Sequence, residues 1–446
     1  MSSEAHDAAE ARHPALGALV RAWRERALLT QEQLAVQTGL NVRTVRRLET
    51  GKLRRPRTTS VRLLAEALDL NEGELSVLTR AASGFPEDPR PAPQQLPADI
   101  ATFVGRTREL AVLEDMGDAA TVVITAIDGM AGAGKTALAV HAAHQLAPRF
   151  PDGDLFIDLH GYTQGMVPTD PADALARMLG VLGVPGESIP QCLDDRAALY
   201  RTVLADRKML ILLDNAADDA QVLPLLPGRG SCLVLVTSRR RLFGLDDART
   251  LSVDLMPLPD TIALFTATAG QERVADAPAD ALGEVVRRCG LLPLAIRLAA
   301  ARLRAHPAWS VTHLLERLEQ LQRRLSELHV GQRSITAALE LSYRELTQDV
   351  RRAYRLLGTH AGTDIAPDAA AALFDTTAAR AGQVLDQLLE VHLLQEPVPG
   401  RYRFHDLIRA HAAVAAEEES ETDRRAALNR LVTHYRYASS AAMDHL

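Results

Sequence analysis

Cysteine, lysine and long apolar runs are what this 446-residue sequence has least of. The three cysteines, Cys192, Cys232 and Cys289, stand far apart without metal-ligand spacing. Neither a disulfide framework nor a cysteine-held metal is expected, and a reducing, cytoplasmic setting is favoured. No apolar run approaches the ~20 residues of a membrane span, so no membrane partner is expected. The first residues, MSSEAHDAAEARHP, lack the basic start and apolar stretch of a secretory signal.

What is present is the composition of a globular protein, 47% hydrophobic and 24% charged, with length enough for roughly three domains. The net charge is −7, yet it is unevenly spread. Between positions 41 and 62 lie eight basic residues (Arg43, Arg46, Arg47, Lys52, Arg54, Arg55, Arg57 and Arg62) and one acid, Glu49. Composition alone leaves two readings open, a nucleic-acid contact or a solvated helix face.

Changes of pattern divide the chain into six segments. Residues 14–82 read as a compact helical unit. In it, Thr30 and Gln33 form a capping box, Gly39 closes one helix, and Asn41 caps the next. Residues 83–99, SGFPEDPRPAPQQLPAD, are a proline-rich linker. From 100 to 256 strands alternate with helices, which predicts a parallel sheet covered by helices. Residues 257–330 are helical. Residues 331–420 read as three helices, two short strands around Pro399-Gly400, and a further helix, a winged-helix order. Residues 421–446 are a C-terminal helix. The expected fold is therefore multidomain: an all-α head, an α/β P-loop domain, a helical domain and a winged helix.

GMAGAGKT, Gly129 to Thr136, fits G-x-x-x-x-G-K-[ST] between a predicted strand and a predicted helix. Glycines at 129, 132 and 134 let backbone N–H groups curl round phosphate oxygens, with Ala133 and Ala137 in the same turn. Lys135 supplies charge to the β and γ phosphates, and Thr136 reaches Mg²⁺. The apolar run MLILL delivers Asp214 to the sheet's carboxyl edge as the second magnesium group. Asn215 follows where many nucleotide hydrolases place another acid. An amide can position water but is no base, so slow or negligible hydrolysis is expected. Arg239, at the end of LVLVTSR, is the candidate γ-phosphate sensor.

These pieces, in this order, resemble the NB-ARC class of signal-transduction (STAND) ATPases, from about residue 100 to 420. FVGRTREL looks like the lead-in beside adenine, which implies nucleotide contacts from Val104 and Arg106. CGLLPLAI is similar to the family's Cys-Gly-Gly-Leu-Pro-Leu-Ala motif and implies that Pro293 lies against the base, with Leu291 replacing a glycine. YRFHDLIR resembles the Met-His-Asp motif, with Phe404 for Met. It implies that His405 touches the β-phosphate of bound ADP. Exchange of ADP for ATP at such a site would act as a switch, with oligomers forming on activation.

TQEQLAVQTGLNVRTVRRLETGKLRRP resembles the XRE-type helix-turn-helix. The resemblance implies that Val42, Arg43 and Arg47 face base edges of double-stranded operator DNA. Asn41, Thr44 and Arg46 flank them, and Gln31 bonds a phosphate. Arg54, Arg55 and Arg57 are expected on the DNA backbone. The layout is similar to actinomycete regulators of antibiotic production. Two other classes compete with this reading: a working ATPase motor, and a STAND-class defence or signalling protein whose head binds protein.

Overall fold

The computed structural model describes residues 16–53, 56, 58–82, 92–115, 122–163, 165–278, 280–319, 325, 327–330 and 333–443. They fall into two compact units. One comprises 1–91 with 180–188, the other 92–179 with 189–446. Among the described residues no helix is long and apolar enough to cross a membrane.

The first unit is built from helices α1 (Leu16–Arg26), α2 (Gln31–Thr38), α3 (Val42–Glu49), α4 (Thr58–Ala67) and α5 (Glu72–Ala82). Leu19, Val20, Trp23, Leu34, Ala35, Val45, Leu48, Leu64 and Leu78 form its core. Both halves of the expected capping box are present: Thr30 Oγ1 accepts from Gln33 N, and Gln33 Oε1 accepts from Thr30 N. Gly39 ends α2 in the left-handed region (φ 67°), and the Asn41 side chain accepts from Arg43 N to start α3. The tight α2–α3 turn thus comes from two cap residues and one glycine.

The second unit opens with α6 (Thr107–Asp115) and then β1 (Val123–Asp128), α7 (Lys135–Leu146), β2 (Asp154–Asp158), α8 (Pro171–Val181), α9 (Leu193–Leu204), β3 (Leu210–Ala216), α10 (Asp219–Val222), β4 (Leu233–Ser238) and β5 (Arg249–Ser252). The strands pair in the order β2-β3-β4-β1-β5, every pair parallel. β4 is buried throughout and β3 nearly so, which explains their unbroken apolar runs. This order inserts β4 between β1 and β3. Residues from three strand ends therefore converge at one carboxyl edge.

The last residues of the proline-rich stretch are strapped to this unit. Gln94 bridges Asp154 at the free edge of β2, and Asp154 Oδ1 accepts from Gln95 N (2.6 Å) and Leu96 N (2.9 Å). His144 Nε2 lies 2.8 Å from Pro97 O, His141 Nδ1 2.9 Å from Asp99 Oδ2, and the Phe103 ring stacks on His141 at 4.0 Å. The strap covers a sheet edge that would otherwise expose unpaired backbone.

The helical remainder is α11 (Leu258–Ala269), α12 (Gln271–Val274), α13 (Ala281–Arg288), α14 (Pro293–Ala305) and α15 (Val311–Glu319). A short hairpin, β6 (His329–Val330) with β7 (Arg333–Ser334), leads into α16 (Ile335–Arg344), α17 (Gln348–Gly358), α18 (Pro367–Phe374) and α19 (Ala378–Glu390). Then come β8 (Gln395–Val398), β9 (Arg401–Arg403), α20 (Asp406–Ala415) and α21 (Glu421–Met443). β8 and β9 form an antiparallel hairpin, and Ile365 bridges Tyr402. Four helices, rather than the expected three, precede this hairpin, and α20 follows it. One hydrophobic core joins a face of the sheet to the C-terminal helices, from Leu113 through Phe265 and Leu339 to Leu431, while Leu155, Leu175, Tyr200 and Val234 are buried outside it.

Candidate functional site

The loop between β1 and α7 has the shape its glycines allow. Gly129, Gly132 and Gly134 take φ of 145°, 82° and 93°, and Gly134 leads directly into the helix. Lys135 is buried and donates to the carbonyls of Gly129 (2.6 Å) and Met130 (3.1 Å). Burial, reinforced by the nearby Arg239 charge, pulls its amine down to about 7. Ala133 is buried and Ala137 half-buried in the same turn.

Thr136 and Asp214 are brought together as expected. Thr136 Oγ1 donates to Asp214 Oδ1 at 2.8 Å. The Thr237 hydroxyl, from β4, donates to the same oxygen and accepts from Asn215 N at 2.9 Å. Burial pushes the Asp214 carboxyl up, against the pull of these two hydroxyls. A hydroxyl and a carboxylate, adjacent beside a phosphate loop, are the hard oxygen donors that Mg²⁺ takes. The donor set fits that ion.

Four expected contacts are redirected. Asn215 does not face Thr136. Its backbone is left-handed (φ 59°) at an irregularity in the β3–β4 pairing, and its amide donates to Thr163 Oγ1 (3.1 Å) and Asp158 Oδ1 (3.4 Å). Arg239, expected as the γ-phosphate sensor, instead donates to Ala338 O at 2.6 Å and lies 5.0 Å from the Tyr162 ring centre. Burial lowers its guanidinium from the ordinary arginine value, and the α16 carbonyl takes up a donor that would otherwise be buried unpaired. Arg106 is also turned inward, at φ 61°. It donates to Ala133 O (3.1 Å), Asp254 O (2.7 Å) and Glu109 Oε1 (2.7 Å) and so props the phosphate loop from behind. Val104 is half-buried against the core.

His405 is the fourth. Its Nδ1 accepts from Leu407 N (3.2 Å), capping α20, so Nε2 carries the proton and donates to Gly290 O at 2.7 Å. Its ring is committed to the segment between α13 and α14, where the β-phosphate was expected. A side chain at Gly290 would meet that ring at 2.3 Å, so glycine is required there. Leu291, the departure from the family's glycine, keeps a glycine-like φ of 55°. Pro293 begins α14 beside Gly134, and Leu294 N donates to Gly132 O at 3.1 Å, docking α14 on the phosphate loop.

Three residues at the carboxyl edge were not among the expected site residues. Asp158 ends β2 in register with Asp214, Thr237 bridges Asp214 to Asn215, and Asp128 ends β1 immediately before Gly129. The signal for the carboxylates was legible: three apolar strands, β1, β2 and β3, each deliver an aspartate to one edge.

On the head, α3 presents Arg43, Arg46 and Arg47 to solvent, with Val42 and Thr44 half-buried and Asn41 exposed at its start. Arg46 is spoken for, donating to Gln31 Oε1 (3.0 Å) and Glu32 Oε1 (3.1 Å). Gln31 was expected on a phosphate, yet its amide also donates to Glu49 Oε2 at 2.6 Å, and Glu49 is held by Arg24. A buried carboxylate needs those donors, and Gln31 is the residue in reach. Arg54, Arg55 and Arg57 lie outside the described residues.

The class follows from these two sites. A helix-turn-helix domain family matches residues 15–78, and the chain joins that domain to a P-loop module. Over 356 residues it is 44% identical to the regulatory protein AfsR of Streptomyces coelicolor, covering 77% of this chain and 36% of AfsR. The AfsR of Streptomyces griseus is 43% identical over 348 residues, covering 77% and 35%. A putative HTH-type transcriptional regulator of Mycobacterium tuberculosis is 30% identical over 325 residues, covering 66% and 34%. The chain thus spans about a third of the length of these relatives. Among solved structures, a Walker-type ATPase of Pyrococcus abyssi aligns with a TM-score of 0.48 at 13% identity, covering 73% of this chain and 98% of that one.

Proposed function

We propose that this protein is a DNA-binding transcription regulator whose helix-turn-helix head is governed by an NB-ARC-type nucleotide switch. Support for the DNA-binding part comes from the matched domain, the regulators among its relatives, and the exposed Arg43 and Arg47 on α3. The layout shared with actinomycete regulators of antibiotic production extends the proposal to secondary metabolism.

The observation that carries the switch is the phosphate loop with its bonded Thr136–Asp214 pair, together with the contacts that the C-terminal helices make to Arg239 and Gly290. Thr136 and Asp214 would hold Mg²⁺, which neutralises phosphate charge when bound. Lys135 leaves its two carbonyls for the phosphates. Arg239 and His405, each bonded across to another segment, hold the diphosphate-bound form closed until a triphosphate competes for Arg239. Hydrolysis is slow at most, since Asn215 supplies no base. Activation exposes an oligomerising surface and sets the spacing of the DNA-binding heads.

Denaturing freshly purified protein and identifying the released nucleotide tests the switch. One ADP per chain is expected; an empty site, or phosphate release at ~1 per second or faster, contradicts it. Recovery of discrete promoters in genome-wide binding tests the regulator; uniform occupancy contradicts it.

A further inference from the structure

The His405–Gly290 bond is not alone in fastening the C-terminal helices to the nucleotide-binding core. The turn that ends α19 reaches the carboxyl edge of the sheet at two strands. Arg241 N donates to Glu390 O at 3.2 Å, and the Arg240 guanidinium stands 3.9 Å from the Glu390 carboxylate, both just beyond β4. At β1, His392 Nε2 lies 3.3 Å from Asp128 Oδ1. The Asp128 side chain is 2% exposed and faces both His392 and Ser252. Burial pushes that carboxyl up, but hydrogen bonding from His392 and Ser252 outweighs it and holds the group below the ordinary carboxylate value. His392 also holds a left-handed backbone (φ 53°), which the surrounding packing sustains.

Asp128 is fixed on its other side. Its carbonyl accepts from Val253 N at 2.8 Å, and the next residue, Gly129, supplies the carbonyl that holds Lys135. A continuous path therefore runs from His392 through Asp128 and Gly129 to the lysine of the phosphate loop.

We propose that Asp128 and His392 form a second latch, separate from His405, that ties the α19 turn to the root of the phosphate loop and biases the site toward a nucleoside diphosphate. The proposal rests on the switch reading above. The latch exists only while the turn sits on the sheet edge. It thus lowers the free energy of that arrangement alone and must favour whichever nucleotide binds it better.

The test is calorimetric titration of the full chain with ADP and with ATP, each with Mg²⁺, in wild type, Asp128→Asn, His392→Asn and the double variant. Asparagine is chosen at 392 because it tolerates the left-handed backbone. The preference for ADP over ATP is expected to fall about tenfold in each single variant, with no further fall in the double. A preference within twofold of wild type in the folded variants, or singles whose effects multiply in the double, overturns the latch. His392→Asn alone reads the same ratio should Asp128→Asn fail to fold. A wild type that binds neither nucleotide overturns both the latch and the switch. One that prefers ADP while its variants do so equally overturns only the latch.

Discussion

The head and the phosphate site spend their charge in opposite ways. On α3, Arg43 and Arg47 are exposed and make no ion pair with any described residue. At the phosphate site every cation the sequence pointed to is engaged inside the protein: Lys135 with two carbonyls, Arg106 with the back of the loop, Arg239 with α16. A surface with unspent charge binds by addition. A site with spent charge binds by exchange, so its ligand must break internal bonds to enter. The first arrangement suits a reader and the second a device with two states.

The sharpest way to break this contrast is Lys135→Ala. Loss of a charge-assisted contact to phosphate is expected to weaken nucleotide binding by about 100-fold. DNA sequence preference in the isolated binding event should be unchanged. Calorimetry and a binding-site selection check the two halves, and weakened nucleotide binding of less than threefold would contradict the phosphate assignment.

Next in size is the head. Arg43→Ala and Arg47→Ala are each expected to cost about 1–3 kcal/mol of discrimination at one base position. Arg46→Ala, which removes a guanidinium already paired with Gln31 and Glu32, should change overall affinity more than preference. Equal loss of preference in all three variants would mean that the internal pairing of Arg46 does not persist on DNA.

The smallest effect is with pH. His360, His405 and His411 all sit below the ordinary imidazole value, burial being the first cause in each. Arg409 adds to it at His360, while the Gly290 bond opposes it at His405 and Glu340 at His411. The native unit keeps these rings neutral, whereas the unfolded chain takes up protons from about pH 6.5 downward. Stability is therefore fully present above that value and is lost as pH falls through the lower native values. The urea midpoint should drop between pH 7.5 and 5.5, and His405→Gln should flatten that drop. A midpoint that rises on acidification would refute the sign.

Much of the frame was legible. Caps at Thr30, Gly39 and Asn41 act through local backbone chemistry, so they appear in the chain as written. The meeting of Thr136 with Asp214 followed from two strand ends and one loop. What was not legible is the direction of long side chains. Motif order located Arg106, Arg239 and Gln31, but each finds its partner in a segment distant in sequence or on a neighbouring helix. The backbone adds a second reason. Arg106, Asn215, Leu291 and His392 adopt φ of 61°, 59°, 55° and 53° without being glycine. At Arg106 and Leu291 packing alone imposes such a conformation, whereas Asn215 and His392 are residue types that tolerate it better. All four lie around the phosphate loop or the segments docked on it, where local rules yield to tertiary ones.

The lowered amine at Lys135 has a chemical corollary. With its amine pulled down to about 7, Lys135 gives up its proton, and so becomes nucleophilic, far more readily than an ordinary lysine. The chain contains only two other lysines, Lys52 and Lys208. Bound phosphate would return the proton to Lys135, suppressing its acylation through charge. The reactivity of a single side chain thus becomes a gauge of occupancy, legible by mass in a protein otherwise almost without amines to modify.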